Sequence, residues 1–164
     1  MKLALPNPVG SVFEYTETIR QRGLDESRAS PRRRMLFPMH RANADVVQRM
    51  LNFMQLGSYI RPHWHPREFA SETIVVMEGE LGFLTFDDEG TFVTTHRLPT
   101  GGLIDIEAKT WHGWVVLAPN TVILEIKRGP FNEDDKVYAD WAPEEDSDEA
   151  QDYLDTLTAQ FRSG

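Results

Sequence analysis

The sequence has 164 residues, a net charge of −9 and no cysteine. A chain of this length fits a single domain that can bury enough apolar surface to fold without a disulfide or a metal. The absence of cysteine excludes disulfides, thiolate ligands and cysteine nucleophiles, and it agrees with a reducing cytoplasm. Any metal must therefore be held by nitrogen and oxygen atoms.

The charges are unevenly distributed along the chain. Residues 1–61 hold ten Lys or Arg against five Asp or Glu, whereas residues 62–164 hold seven against twenty-one. Because an acidic chain repels phosphate backbones, we expect no nucleic-acid partner. The apolar start is short and is broken by Pro6 and Pro8, and no later run is long enough for a bilayer. We therefore expect an untargeted cytoplasmic protein without membrane contact.

The predicted elements begin with two helices. Ser11, with Glu14 three residues later and Gly23 as a stop, has the pattern of a short capped helix over residues 11–23. Behind Asn43, apolar residues at helical spacing predict a second helix over residues 42–54.

From Leu56 the sequence changes to short apolar or alternating runs that are separated by turn residues. The runs "RMLFPM" and "GSYIRPHWH" add to these and give about eight strands at regular spacing. This pattern is typical of an all-β sandwich or a small barrel.

The C-terminal part is acidic and then amphipathic. Residues 132–149 hold nine Asp or Glu and one Lys, which indicates an exposed wrap anchored by Tyr138 and Trp141. A terminal amphipathic helix is predicted from about Asp148. We therefore expect three parts: an N-terminal extension with a short helix (1–29), a barrel domain (30–146) and a C-terminal helix (147–164).

The stretch "RPHWHP" holds two of the five histidines, His63 and His65. Side chains two residues apart on a strand point to the same face, which brings both imidazoles, Arg61 and Tyr59 together. A water-facing stripe is the simple alternative. Glu72 at the start of an apolar strand and His112 in "TWHGWVVL" make a metal site the stronger hypothesis, because four N and O donors could surround one ion.

These residues resemble the two motifs of the cupin superfamily. The segments "SPRRR", "GSYIRPHWHP", "ETIVVMEGELGFLTFDDEG", "TWH", "EIKRGPF" and "WAPEE" are similar to the WbuC-type cupin-fold metalloproteins of bacteria, over residues 30–146. The resemblance implies a double-stranded β-helix, also called a cupin or jelly-roll barrel. It also implies a homodimer and a link to lipopolysaccharide O-antigen or other surface polysaccharide biosynthesis. The implied metal ligands are His63, His65, Glu72 and His112.

The sequence departs from the cupin pattern in two places. Six residues separate His65 from Glu72, more than the motif usually has, and Glu68 within them is a rival carboxylate. Glu72 is favoured because it keeps the spacing to the turn at Gly79. The second motif lacks its usual Pro and Gly, with Glu107 and Lys109 in their places, and its closing Asn is replaced by a valine.

Three imidazoles and one carboxylate suit one divalent transition metal, and Fe, Mn, Ni, Co and Zn all remain open. The principal hypothesis is a metal-binding cupin that acts on a small anionic or sugar-derived molecule. An Fe(II)-dependent dioxygenase and a non-catalytic small-molecule or carbohydrate-sensing barrel are the alternatives. Catalysis itself is open: an isomerase or epimerase and a dioxygenase are both compatible, and no catalytic residue can be assigned.

Four further residues are candidates for substrate binding. Arg61 could pair with a substrate carboxylate or phosphate, or form an internal ion pair. Tyr59 could donate into the pocket or fill it. The resemblance places a histidine at His40, with a pocket role or a structural hydrogen bond as the alternatives. Arg34, in "SPRRR", belongs to an anion clamp or to a solvated loop.

Overall fold

The computed structural model describes residues 3–162, apart from the side chain of Glu133. These residues form two α-helices, ten strands and one 3-10 turn. The helices are α1 (Glu17–Ala29) and α2 (Ala150–Ala159), the 3-10 turn is Glu133–Asp135, and the strands are β1 (Arg34–Pro38), β2 (Val47–Met54), β3 (His63–Trp64), β4 (Glu72–Glu78), β5 (Glu80–Phe86), β6 (Phe92–Pro99), β7 (Leu103–Ile106), β8 (His112–Val116), β9 (Thr121–Arg128) and β10 (Val137–Tyr138).

The strands form two antiparallel five-stranded sheets. The first has the order β1-β2-β9-β4-β7 and the second the order β10-β3-β8-β5-β6. The chain passes from one sheet to the other at Gly79, where φ is +82° and a Cβ would lie 2.3 Å from Thr121 Oγ1. Only glycine fits both conditions. The predicted all-β double-stranded β-helix of the cupin type is confirmed.

The space between the sheets is apolar at one end and polar at the other. Along β4 the buried side chains alternate as Glu72, Ile74 and Val76. Where β4 pairs with β9, Lys127 lies opposite Glu72 and Glu125 lies opposite Ile74, so both charged residues are near the same end as Glu72. An apolar core with side chains from both sheets fills the opposite end: Met54, Ile60, Ile74, Val76, Leu81, Phe83, Ile106, Trp114, Val116 and Ile123.

Helix α1 lies later in the chain than the predicted helix. Thr16 is its N-cap, with the Thr16 hydroxyl accepting from Ile19 N at 3.4 Å, and the helix ends at Ala29 ahead of Pro31. Gly23 is not the stop that the sequence indicated. It lies inside the helix, where a Cβ would meet the Phe53 ring at 2.4 Å, so the glycine permits close packing of the helix on the first sheet.

The predicted second helix over residues 42–54 is wrong, because residues 47–54 form β2. This strand pairs with β1 on one side and with β9 on the other. One face packs beneath α1 through Leu51 and Phe53, and the other face, with Met50 and Asn52, lines the interior. A strand buried on both faces loses simple alternation, and its apolar residues then imitate a helical spacing.

Helix α2 packs on the outer face of the second sheet. Leu154, Leu157 and Phe161 are buried against Leu84 and Val115. The predicted terminal helix is present and begins at Ala150. Within residues 3–162, no helix has the length and the apolar character needed to cross a membrane.

The acidic segment before α2 is not simply an exposed wrap. Its Val137 and Tyr138 form β10, which pairs with Trp64 and His63 of β3. The segment therefore closes one edge of the second sheet beside the two histidines.

Candidate metal centre and its cavity

Four buried side chains from both sheets converge at the polar end of the barrel. Each of His63, His65, Glu72 and His112 offers one ligand atom, and these atoms all lie within 4.8 Å of one another. His63 pairs directly with His112 between β3 and β8, whereas Glu72 reaches the cluster from β4 in the other sheet. The exposed fractions of His63, Glu72 and His112 are 0%, 2% and 1%.

Backbone carbonyl groups orient all three imidazoles in the same sense. The Nδ1 atoms of His63, His65 and His112 lie 3.1, 2.7 and 2.8 Å from the carbonyl oxygens of Arg61, Asp135 and Thr110. A carbonyl oxygen only accepts, so each Nδ1 carries the proton and donates it. In the neutral rings, each Nε2 is then a free acceptor that points toward the cluster.

The cluster holds more hydrogen-bond acceptors than hydrogen-bond donors. The Nε2 atoms of His63 and His112 are buried and have no hydrogen-bond partner within residues 3–162. His65 Nε2 lies 3.0 Å from Glu72 Oε2, and His112 Nε2 lies 3.5 Å from the same oxygen. Buried acceptors that face one another are unfavourable unless a cation lies between them. The donor set therefore fits a divalent metal.

The surroundings of His63 and Glu72 favour the protonation states in which these two side chains bind a metal. Burial lowers the pKa of His63 well below 6.5, and nearby Lys136 and His112 lower it further. Burial alone would raise the pKa of the Glu72 carboxyl. His112, His65 and Lys127 outweigh this effect and hold it well below its ordinary value. Neutral imidazole and ionised carboxylate are the forms that bind a metal.

The cluster lies beside a cavity of about 540 Å³, and His65 is one of its lining residues. The cavity lining is cationic in an otherwise acidic protein. The charged side chains that line it are those of Arg32, Arg34, Arg67, Lys127, Arg128, Lys136 and Asp135. Asp135 pairs with Arg67, and the nearby Glu145 and Glu125 pair with Arg32, Arg34 and Lys127, which leaves a smaller surplus of positive charge to attract anions.

Arg61 and Tyr59 both contact the segment that follows β10. Arg61 Nε donates to Ala139 O at 2.8 Å, and its Nη1 lies 3.6 Å from Glu144 Oε1. The Tyr59 hydroxyl donates to Pro143 O at 2.9 Å, and its ring packs edge-on against Tyr153. Both residues lie before β3, where the alternation of a regular strand does not apply.

Arg34 and His40 do line the cavity. Arg34 is nevertheless engaged by the protein: its guanidinium donates to Tyr59 O at 2.6 Å and lies 2.5 Å from Glu145 Oε2. His40 Nδ1 lies 2.9 Å from Arg49 O, which gives that ring a structural contact between β1 and β2. The rival carboxylate Glu68 is exposed in the loop before β4.

Asn52, Lys127 and Lys136 line the cavity and were missed by the sequence reasoning. Asn52 Nδ2 donates to Glu125 Oε2 at 2.7 Å, and Glu125 Oε1 lies 2.9 Å from Lys127 Nζ. Burial alone would lower the pKa of Lys127, but the Glu125 and Glu72 carboxylates raise it above its ordinary value. The two-residue spacing of Glu125 and Lys127 in "TVILEIK" indicated that both share one face of a strand. No sequence pattern indicated a cavity position for Lys136, a single lysine in an acidic run.

The sequence profile of one family matches the chain over residues 16–98, and its description is "Domain of unknown function (DUF6016)". The match covers α1 and strands β1 to β6, including three of the four residues of the cluster. No curated protein matches the sequence.

Solved structures with a similar fold include oxalate decarboxylase from Bacillus subtilis at pH 4.6, with 17% identity and a TM-score of 0.49 over 58% of this chain and 24% of that one. KdgF from a Halomonas species has 21% identity and a TM-score of 0.47 over 60% of this chain and 82% of that one. Procruciferin, an 11S globulin from Brassica napus, has 16% identity and a TM-score of 0.45 over 52% and 21%. The chain thus spans about a quarter of the oxalate decarboxylase, and its function must be argued from its own residues.

Proposed function

The chain belongs to the DUF6016 family of domains of unknown function, and we propose from its own site that it is a metal-binding cupin acting on a small anionic or sugar-derived molecule. In this proposal one divalent transition metal is held by His63, His65, Glu72 and His112. The cavity beside them receives the molecule.

The observation that carries the proposal is the surplus of acceptors in the cluster. Three imidazoles whose Nδ1–H groups are engaged by carbonyl oxygens present their Nε2 atoms toward one carboxylate. Each Nε2 and the carboxylate can only accept in these forms, so a cation satisfies all of them at once. Cation binding thus removes the cost of burying unpaired acceptors.

The donor set and the cavity together indicate the chemistry. Imidazole and carboxylate ligands suit Fe(II), Mn(II), Ni(II), Co(II) or Zn(II). When bound, such an ion supplies Lewis-acid polarisation of a substrate oxygen. The surplus of cationic over acidic side chains at the cavity favours an anionic molecule, and the cavity volume of about 540 Å³ suits a small one.

Metal stoichiometry tests the proposal. We expect purified wild-type protein to retain close to one transition-metal ion per chain after dialysis, measured by elemental analysis. His63→Ala combined with His112→Ala should lose that ion. His96→Ala is the matched control, because His96 is exposed on the outer strand β6. Equal metal content in the wild type and the double variant would exclude these histidines as ligands.

Three finer statements are part of the proposal: the location rests on a composition without cysteine, the biosynthetic link on the resemblance to WbuC-type cupins, and the dimer on the resemblance to cupins in general. We place the protein in the bacterial cytoplasm, associate it with lipopolysaccharide O-antigen or other surface polysaccharide biosynthesis, and expect a homodimer. Light scattering coupled to size exclusion tests the last statement directly, since a mass of one chain, 18.8 kDa, would contradict it.

A further inference from the structure

Lys136 faces the cavity beside the candidate metal centre. It is extended (φ −127°, ψ 130°) and directly precedes β10, whose Tyr138 pairs with His63. Side chains two residues apart on an extended segment share a face, so Lys136 points to the same side as Tyr138. The Tyr138 ring lies 6.0 Å from the His63 ring, and both Tyr138 and Lys136 line the cavity.

The other five cations of the cavity are engaged by the protein. Arg32 and Arg34 pair with Glu145 at 3.4 and 2.5 Å, and the Arg128 guanidinium donates to Glu68 O. The two remaining pairs are Arg67 with Asp135 at 2.5 Å and Lys127 with Glu125 at 2.9 Å. Among the residues whose side chains the structure describes, Lys136 has no hydrogen-bond or ion-pair partner.

The surroundings of Lys136 make an unpaired ammonium unfavourable. Burial lowers the pKa of Lys136 to about 8, and Lys127 and Arg34 lower it too, against the opposing effect of Glu125 and Glu72. The group is therefore mostly charged at neutral pH. A partly desolvated cation without a counter-ion costs free energy, which an anion in the cavity would offset.

We propose that Lys136 binds the oxyanionic group, a carboxylate or a phosphate, of the molecule whose other end reaches the metal centre. The inference rests on the proposed function and names its substrate class: a small acid with one oxyanionic group for Lys136 and a second oxygen donor for the metal. An ammonium suits this task because its three donors rotate freely toward an anion. The guanidinium groups of the cavity already have partners and instead fix its walls.

Calorimetric titration of Mn(II)-loaded protein tests the inference. The probes are malonate, which offers two carboxylates, and phosphoglycolate, which offers a phosphate and a carboxylate. Lys136→Met should weaken binding of at least one probe tenfold or more, and Lys136→Arg should retain most of the affinity because the charge remains. Lys109→Met is the matched control, since Lys109 is exposed outside the cavity. The probe whose affinity falls more in Lys136→Met relative to the wild type identifies the oxyanionic group that Lys136 binds.

Metal content separates this inference from the proposed function. We expect Lys136→Met to keep the wild-type metal stoichiometry while it loses probe affinity. Probe binding equal to the wild type in Lys136→Met, or no binding of either probe to the loaded wild type, would overturn the role of Lys136. Absence of metal from the wild type would instead overturn the proposed function. If the Met variant does not fold, Lys136→Gln provides the same comparison.

Discussion

His65 Nε2 lies 3.0 Å from Glu72 Oε2, while the Nδ1 of the same ring lies 2.7 Å from the carbonyl oxygen of Asp135. The two residues come from different sheets and meet inside the barrel. Because Nδ1 must hold a proton for the carbonyl, a neutral ring places an acceptor against the carboxylate. A metal ion that accepts electron pairs from both groups resolves this conflict.

Removing the Glu72 charge should weaken metal binding strongly. Glu72→Gln keeps the shape of the side chain but removes the only carboxylate of the cluster. We expect metal affinity, measured by competition with a chromophoric chelator, to fall by at least about tenfold. Glu68→Gln is the matched control, because Glu68 is the exposed rival in the preceding loop. A larger loss for Glu68→Gln than for Glu72→Gln would reverse the assignment.

The metal-free protein should lose stability as the pH falls below 6.5. The pKa of His63 is lowered in the folded state, so the unfolded chain takes up a proton that the folded chain does not. This contribution is present above pH 6.5 and is lost as the pH decreases toward the folded pKa, with a slope of up to about 1.4 kcal/mol per pH unit. Glu72, whose pKa is also lowered, adds its loss only below about pH 4.5.

Urea unfolding between pH 5 and pH 8 measures this effect. His63→Gln removes the titrating group, so its unfolding free energy should vary less with pH than that of the wild type over this range. The same pH slope in both proteins would show that His63 does not contribute.

The ion pair between Arg67, in the loop before β4, and Asp135, in the segment before β10, should hold the Asp135 carbonyl in place for His65. Arg67 Nη2 lies 2.5 Å from Asp135 Oδ2 and donates to Pro130 O at 3.2 Å, and the Asp135 carbonyl accepts from His65. We expect Arg67→Met to weaken metal affinity by about 10-fold, because partners that orient a ligand contribute that much. Arg97→Met, which breaks an exposed ion pair with Glu80, is the control. Unchanged affinity in Arg67→Met would exclude this positioning role.

Gly23→Ala should destabilise the fold although alanine favours helices. The new Cβ would lie 2.4 Å from the Phe53 ring, and overpacking of this kind costs about 1 to 3 kcal/mol. The gain in helix propensity offsets about 1 kcal/mol of that cost. Thermal unfolding should therefore show a net loss of up to about 2 kcal/mol, whereas Arg22→Ala on the exposed face should be near neutral. A stabilised Gly23→Ala would show that the helix moves freely on the sheet.

Local sequence patterns predicted the all-β class and the shared face of His63 and His65, whereas the double-stranded β-helix and the four-ligand set were implied by the resemblance to cupins. The one-residue spacing of His63 and His65 places both on one face of a strand, and Gly79 marks the turn that connects the two sheets. The alternation of side chains along a strand depends only on backbone geometry within a few residues. For this reason the shared face of the two histidines could be predicted without the structure.

Other features depended on long-range pairing and could not be predicted. Residues 47–54 form a strand because β1 and β9 flank them, which their apolar spacing does not reveal. Arg61 lies before β3, and its guanidinium contacts Ala139 O and Glu144, which are distant in the sequence. Lys136 enters the cavity because β10 pairs with β3, and the charge of its acidic segment indicated exposure instead.

The central claim is that His63, His65, Glu72 and His112 hold one metal ion. Anomalous diffraction from crystals grown with Mn(II) or Co(II) tests it most directly. We predict one strong anomalous peak per chain, within bonding distance of the three Nε2 atoms and a Glu72 carboxylate oxygen. A peak elsewhere, or no peak between these four side chains in metal-loaded crystals, would contradict the account.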